Sequence, residues 1–205
     1  MNQVTKSTFI LLLSFWSVLG WAQAPIAKYS GNGMKNTRPF TVDGPWEVKW
    51  NASGNLFQVM VFDIQGNLVD AIANQTGPGK GSSYQTKQGK YYLKINAIGN
   101  WTLAISKGGG STTKTTNTSG LIGEYTGNGN KNLRPFNVDK PWEVSWEAKG
   151  MLFQLMLFDM SGNLVGVLAN QTNAGKNSSY QVKTGKYYIK VNAVGSWKMK
   201  IKYAK

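Results

Sequence analysis

The sequence of 205 residues contains no cysteine and no histidine. Without cysteine there is no disulfide framework, thiol nucleophile, iron–sulfur cluster or thiolate zinc site. Without histidine there is no Ser–His triad, no imidazole metal ligand, and no side chain that ordinarily titrates near neutrality. Acidic residues are scarce: nine Asp and Glu stand against 23 Lys and Arg, a net charge of +14. Glycine (24 residues) and aromatic side chains (12%) are plentiful. That balance suits an all-β extracellular protein better than a helical cytosolic one. No cofactor and no metal site are expected.

Long hydrophobic runs are also rare. The main one, Phe9 to Leu19 (FILLLSFWSVL), follows Lys6 and is followed by the small residues Gly20 and Ala22, the anatomy of a secretory signal peptide. Cleavage is expected between Ala22 and Gln23, because a cut after Ala24 would place Pro25 next to the scissile bond. The run falls short of the roughly 20 apolar residues of a membrane-spanning helix, so no integral membrane span is expected. The mature chain loses Lys6, carries +13, and is expected to be secreted or periplasmic.

The remainder is one unit written twice. Residues 29–107 and 125–203 align without a gap at an offset of 96, with 49 identities in 79 positions. YSGNGMKNTRPFTVDGPWEVKW matches YTGNGNKNLRPFNVDKPWEVSW, and GKYYLKINAIGNW matches GKYYIKVNAVGSW. The organisation read from this is a signal peptide (1–22), a first repeat (23–107), a Gly/Ser/Thr-rich linker (108–124) and a second repeat (125–205). Val59/Leu155, Val61/Leu157, Ile64/Met160, Ile72/Leu168, Leu93/Ile189, Ile95/Val191 and Ile98/Val194 exchange one apolar residue for another. Such volume-conserving exchanges mark the expected core.

Alternation with a period of two predicts strands. In WEVKW, Trp46, Val48 and Trp50 share one face, with Glu47 and Lys49 on the other. DIQGNLV and DMSGNLV place Asp and Gly-Asn where a tight hairpin needs them. Many short strands with turns every 8–12 residues point to a sandwich or barrel. The closing segment GKYYLKINAIGNWTLAISK, with its pattern G-x-Y-x-L-x-(I/V), loop, aromatic-x-L-x-I, resembles bacterial pre-peptidase C-terminal domains over about the last 20 residues of each copy. It departs from them in Trp101 and Trp197, which replace the usual tyrosine, and no enzyme domain is expected beside the two copies within these 205 residues. The resemblance implies a small, non-catalytic, jelly-roll-like β-sandwich in each copy and carries over no functional residue.

Several polar groups are retained in both copies. The glycine-rich run Gly31-Asn32-Gly33 leads to Lys35 and Arg38, and its partner to Lys131 and Arg134. Close backbone approach and two cations would suit an anionic group; the alternative is a strand-entry turn whose arginine pairs with a carboxylate such as Asp43 or Glu47. Trp46, Trp50, Trp142 and Trp146 would form a stacking platform if exposed and core if buried. A polar loop carries Asn74, Lys80 and Tyr84, repeated as Asn170, Lys176 and Tyr180, fit to hydrogen-bond a carbohydrate or to satisfy its own backbone. Lys198, Lys200 and Lys202 alternate onto one strand face, with Lys190 expected opposite them, as a basic stripe or as edge protection.

The retained carboxylate pairs number three: Asp43/Asp139, Glu47/Glu143 and Asp63/Asp159. A two-carboxylate glycosidase would have to be built from these in a unit too small for a substantial cleft, so no enzyme is expected. The expected function is a secreted, non-enzymatic tandem β-sandwich that binds an anionic polysaccharide or other cell-surface polymer. The alternative is a structural or adhesive extracellular subunit with protein partners. Export makes nucleic acid an unexpected ligand.

Overall fold

The structure, a computed structural model, describes residues 24–108 and 120–204. The signal-peptide segment, most of the expected linker (109–119) and Lys205 lie outside the described residues. Among those described, strands dominate and no residue is helical. The first copy runs through β1 (Ala27–Asn32), β2 (Lys35–Asn36), β3 (Phe40–Val42), β4 (Trp46–Ala52), β5 (Leu56–Asp63), β6 (Leu68–Thr76), β7 (Gly79–Gln85), β8 (Gly89–Ile98) and β9 (Asn100–Lys107). The second copy follows the same order: β10 (Leu121–Asn128), β11 (Lys131–Asn132), β12 (Phe136–Val138), β13 (Trp142–Ala148), β14 (Leu152–Asp159), β15 (Leu164–Gln171), β16 (Gly175–Gln181), β17 (Gly185–Val194) and β18 (Ser196–Tyr203). Since β10 begins at Leu121, the last four residues of the expected linker are strand, with Glu124 opposite Lys200.

These strands form four antiparallel sheets, two per copy. A four-stranded sheet orders β1-β9-β4-β7, and its counterpart β10-β18-β13-β16. A five-stranded sheet orders β2-β8-β5-β6 with β3 also pairing β8, and its counterpart β11-β17-β14-β15 with β12 on β17. Each copy has one hydrophobic cluster that draws side chains from both of its sheets. Period-two alternation decides who enters. Trp46, Val48, Trp50 and Ala52 of β4 point inward, against Phe57, Val59 and Val61 of β5. The same parity corrects two expected core pairs. Along β8, Tyr91, Leu93, Ile95 and Ala97 face in, so Ile98 is carried to the exposed side, and Val194 is only half-buried. Ile64 and Met160 sit at exposed hairpin tips.

Those hairpins are held as their sequence implies. Asn67 donates its backbone N–H (2.8 Å) and its side-chain amide (2.9 Å) to the Asp63 carboxylate, while Gly66 takes φ +90°. Asp159, Asn163 and Gly162 repeat the arrangement. A carboxylate used this way closes a turn. Close backbone contact sets a second constraint: a Cβ on Gly54 or Gly150 would fall 1.3 or 1.4 Å from the carbonyl oxygen of Ile98 or Val194. No side chain fits there.

Candidate functional site

The six tryptophans of the two copies are core residues, and the exposed stacking platform is thereby corrected. Trp46, Trp50, Trp142 and Trp146 are between 0 and 7% exposed. Every indole N–H is engaged: Trp46 donates to the Lys87 carbonyl, Trp50 to Gln75 Oε1, and Trp101 to the Gly33 carbonyl. Trp142, Trp146 and Trp197 repeat these bonds with Lys183, Gln171 and Gly129. Burial of a large ring with its one polar group satisfied stabilises a small core that lacks disulfides.

The lysines of the glycine-rich run turn back to their own chain. Lys35 Nζ donates to the Ser30 carbonyl (2.8 Å), and Lys131 Nζ to the Thr126 carbonyl (3.2 Å), so both lysines brace their own strand entry. Burial draws the Lys131 ammonium below its ordinary pKa, with Glu47 opposing that shift. Arg134 pairs with a carboxylate, as the turn reading expects, but with Glu47 of the other copy, at 2.8 Å. Arg38 remains exposed.

The polar loop separates into unlike fates. Asn74 accepts from Gln58 Nε2 at 3.1 Å, and Asn96 donates to Gln58 Oε1 at 2.9 Å, an amide ladder across β6, β5 and β8. Asn170, Gln154 and Asn192 form the same ladder in the second copy. Tyr84 is 6% exposed and Tyr180 58%. Tyr84 lies where the copies meet; burial raises its phenol pKa, with Arg134 pulling the other way.

The lysines are distributed over solvent-facing sheet surfaces. Lys198, Lys200 and Lys202 do share the outer face of β18, but acids flank them. Glu124 pairs with Lys200 at 3.0 Å, Glu147 lies opposite Lys198, and Glu143 opposite Lys202. Lys176 pairs with Glu147 at 3.4 Å. Lys190 is not on this face: it belongs to β17 of the other sheet and reaches Asp70 of the first copy at 3.2 Å. The stripe is therefore an alternation of charges with a basic excess.

Two open depressions lie on these outer faces. One, of about 490 Å³ on β1, β4 and β9, carries Lys28, Ser30, Lys49, Asn51 and Thr102 around a mostly apolar floor that includes Trp50. The other, of about 350 Å³, carries Thr126, Asn128, Glu147, Lys149 and Lys198, with Lys80 from the first copy, around a mostly apolar floor that includes Trp197. They overlap in repeat position, since Ser30, Asn51 and Thr102 correspond to Thr126, Glu147 and Lys198. Cations, hydroxyls and amides on a concave sheet surface can hydrogen-bond and charge-pair with an extended polar chain.

Between the copies lies a contact that the retained motifs did not reveal. Asp70 accepts from Asn132 Nδ2 (2.8 Å), Lys190 Nζ (3.2 Å) and Gln85 Nε2 (3.2 Å). The Asn132 backbone N–H donates to Ser83 Oγ at 3.1 Å, and Asn128 donates to the Thr76 carbonyl at 2.9 Å. Gly129 approaches so closely that a Cβ would fall 1.7 Å from the Asn74 carbonyl oxygen. The available signal was disagreement between the copies: Asp70 corresponds to Gly166, Ala71 to Val167 and Asn130 to Met34.

No family model matches the chain, and no curated protein matches it. Among solved structures it is similar to the PBSX exported protein XepA, at 6% identity over 87% of this chain and 85% of that one, with a TM-score of 0.28. A fucolectin from striped bass (Morone saxatilis) serum is 8% identical over 87% and 85%, with a TM-score of 0.25. The N-terminal CBM22-1-CBM22-2 tandem domain from Paenibacillus barcinonensis Xyn10C is 11% identical over 86% and 93%, with a TM-score of 0.27. Likenesses this low carry no argument about fold or function.

Proposed function

We propose that the protein is an exported, non-enzymatic binding protein for an anionic surface polysaccharide, built as two tandem β-sandwich units. The observation that supports this is the pair of depressions at overlapping repeat positions on the outer faces of the four-stranded sheets, each rimmed by lysines and hydroxyls over an apolar floor that includes the edge of Trp50 or Trp197. The indole faces are inside the core and only the edges of Trp50 and Trp197 reach the depressions, so selection of acidic over neutral chains rests on the lysines at their rims. Each lysine brought near an anionic surface contributes about 1 kcal/mol, so single contacts are weak. Two sites on one chain convert weak contacts into avidity.

The test is retention on an immobilised polyuronate against neutral dextran. The protein is expected to bind the polyuronate at low salt and release as the screening length contracts from about 10 Å at 0.1 M to about 3 Å at 1 M. Lys28→Glu with Lys49→Glu, and Lys149→Glu with Lys198→Glu, should each weaken retention. Equal retention on dextran, or retention untouched by both double variants, overturns the reading.

A further inference from the structure

The two copies meet through faces that are not equivalent. The first copy offers β6 and β7 with Glu47; the second offers β11, Arg134 and Lys190. A head-to-tail contact of this kind leaves each copy with the opposite face unused. On the second copy the unused face carries Glu143, Ser179 and the exposed side chains Val167, Tyr180 and Val182. On the first copy it carries Asn36, Arg38 and Met34, the last 78% exposed. Where the copies do meet, the counterparts Glu47, Ser83, Tyr84 and Asn132 are buried.

We propose that a second molecule of this chain covers these faces, the first copy of one molecule docking on the second copy of the next as the two copies dock within a chain. Arg38 then meets Glu143 as Arg134 meets Glu47, and Asn36 reaches Ser179 as Asn132 reaches Ser83. The polar tie from Asn130 to the Ala71 carbonyl is replaced by Met34 against Val167, two exposed apolar side chains at the corresponding positions. One tie is lost. Gly166 stands at the counterpart of Asp70, so Asn36 and Lys94 find no carboxylate there. The contact between molecules is accordingly weaker than the contact within one, and assembly depends on protein concentration. Because the contact is heterologous, it propagates as an open chain or closes as a ring.

Sedimentation of the purified protein over a concentration series tests this. The weight-average mass should rise with concentration, and Gly166→Asp, which supplies the missing carboxylate, should move the rise to lower concentration. Arg38→Glu and Glu143→Arg, both at exposed positions, should each weaken association by about tenfold or more. An equimolar mixture of the two variants should recover it, since each variant keeps one native face. A monomer at every concentration for both the native chain and Gly166→Asp overturns the proposal. So does association indifferent to both charge reversals, or a mixture that fails to recover.

Discussion

Replacing Asp70 by glycine makes the first copy resemble the second at the position where they differ most in consequence. The Asp70 side chain is 16% exposed, and its carboxylate holds Asn132, Lys190 and Gln85. Removing one member of a buried, hydrogen-bonded charge pair costs about 3–5 kcal/mol. Lys190 is 26% exposed and so can turn its ammonium into water, which places the loss at the low end, about 3 kcal/mol. Most of that is the Asn132 amide, buried and left without its acceptor. The hydrophobic clusters are separate and should stay folded, so the loss appears as uncoupling of the copies. Hydrogen exchange of the Asn132 backbone N–H, which donates to Ser83 across the contact, reports that opening directly. A loss of about 3 kcal/mol accelerates it on the order of a hundredfold. Amides of β5 and β14 should be unaffected, and Asp70→Asn should lie between. An Asn132 exchange rate within about threefold of the native value would refute the assignment of Asp70 as the principal tie, since that corresponds to well under 1 kcal/mol.

Gly127→Ala would bring a Cβ to 2.4 Å from Trp197 Cζ2, against a ring that cannot swing away because its N–H is tied to the Gly129 carbonyl. Overpacking of this kind costs about 1–3 kcal/mol, so calorimetry should show a lower melting temperature, and an unchanged one would count against the packing described. In acid, Asp63 and Asp159 are held below the ordinary carboxylate range by the side-chain amides of Asn67 and Asn163, and Asp43 by Lys107. Folded-state values below the unfolded value of about 3.9 mean that their stabilisation is present above that pH and is lost as pH falls through the folded values. Urea midpoints should therefore decline below about pH 4, and the double variant Asp63→Asn, Asp159→Asn should flatten that decline.

Much of the architecture was legible because it is local or periodic. The offset of 96, the inward parity of Trp46, Val48 and Trp50, and the Asp63 hairpin all follow from neighbours in sequence. Ile98 was misread because an apolar exchange between copies records tolerance, and an exposed strand end tolerates it as readily as a core. The contact between copies was not legible: Asp70 and Asn132 are 62 residues apart, and no spacing rule joins them. Most residues of the joint, such as Glu47, Ser83, Asn132 and Arg134, are retained in both copies, and only Asp70, Ala71 and Asn130 set the joint apart from its counterpart positions.

The enclosed indoles have a spectroscopic consequence. All six are shielded from water and anchored by their N–H groups, so their emission should be blue-shifted, and only Trp50 and Trp197, whose edges line the outer depressions, adjoin a ligand docked there. A change of emission on ligand binding should therefore be confined to these two indoles, and Trp46, Trp101, Trp142 and Trp146 should not respond. The same fluorescence follows unfolding with high contrast, and a surface label beside Lys49 or Lys198 would separate occupancy of one depression from that of the other.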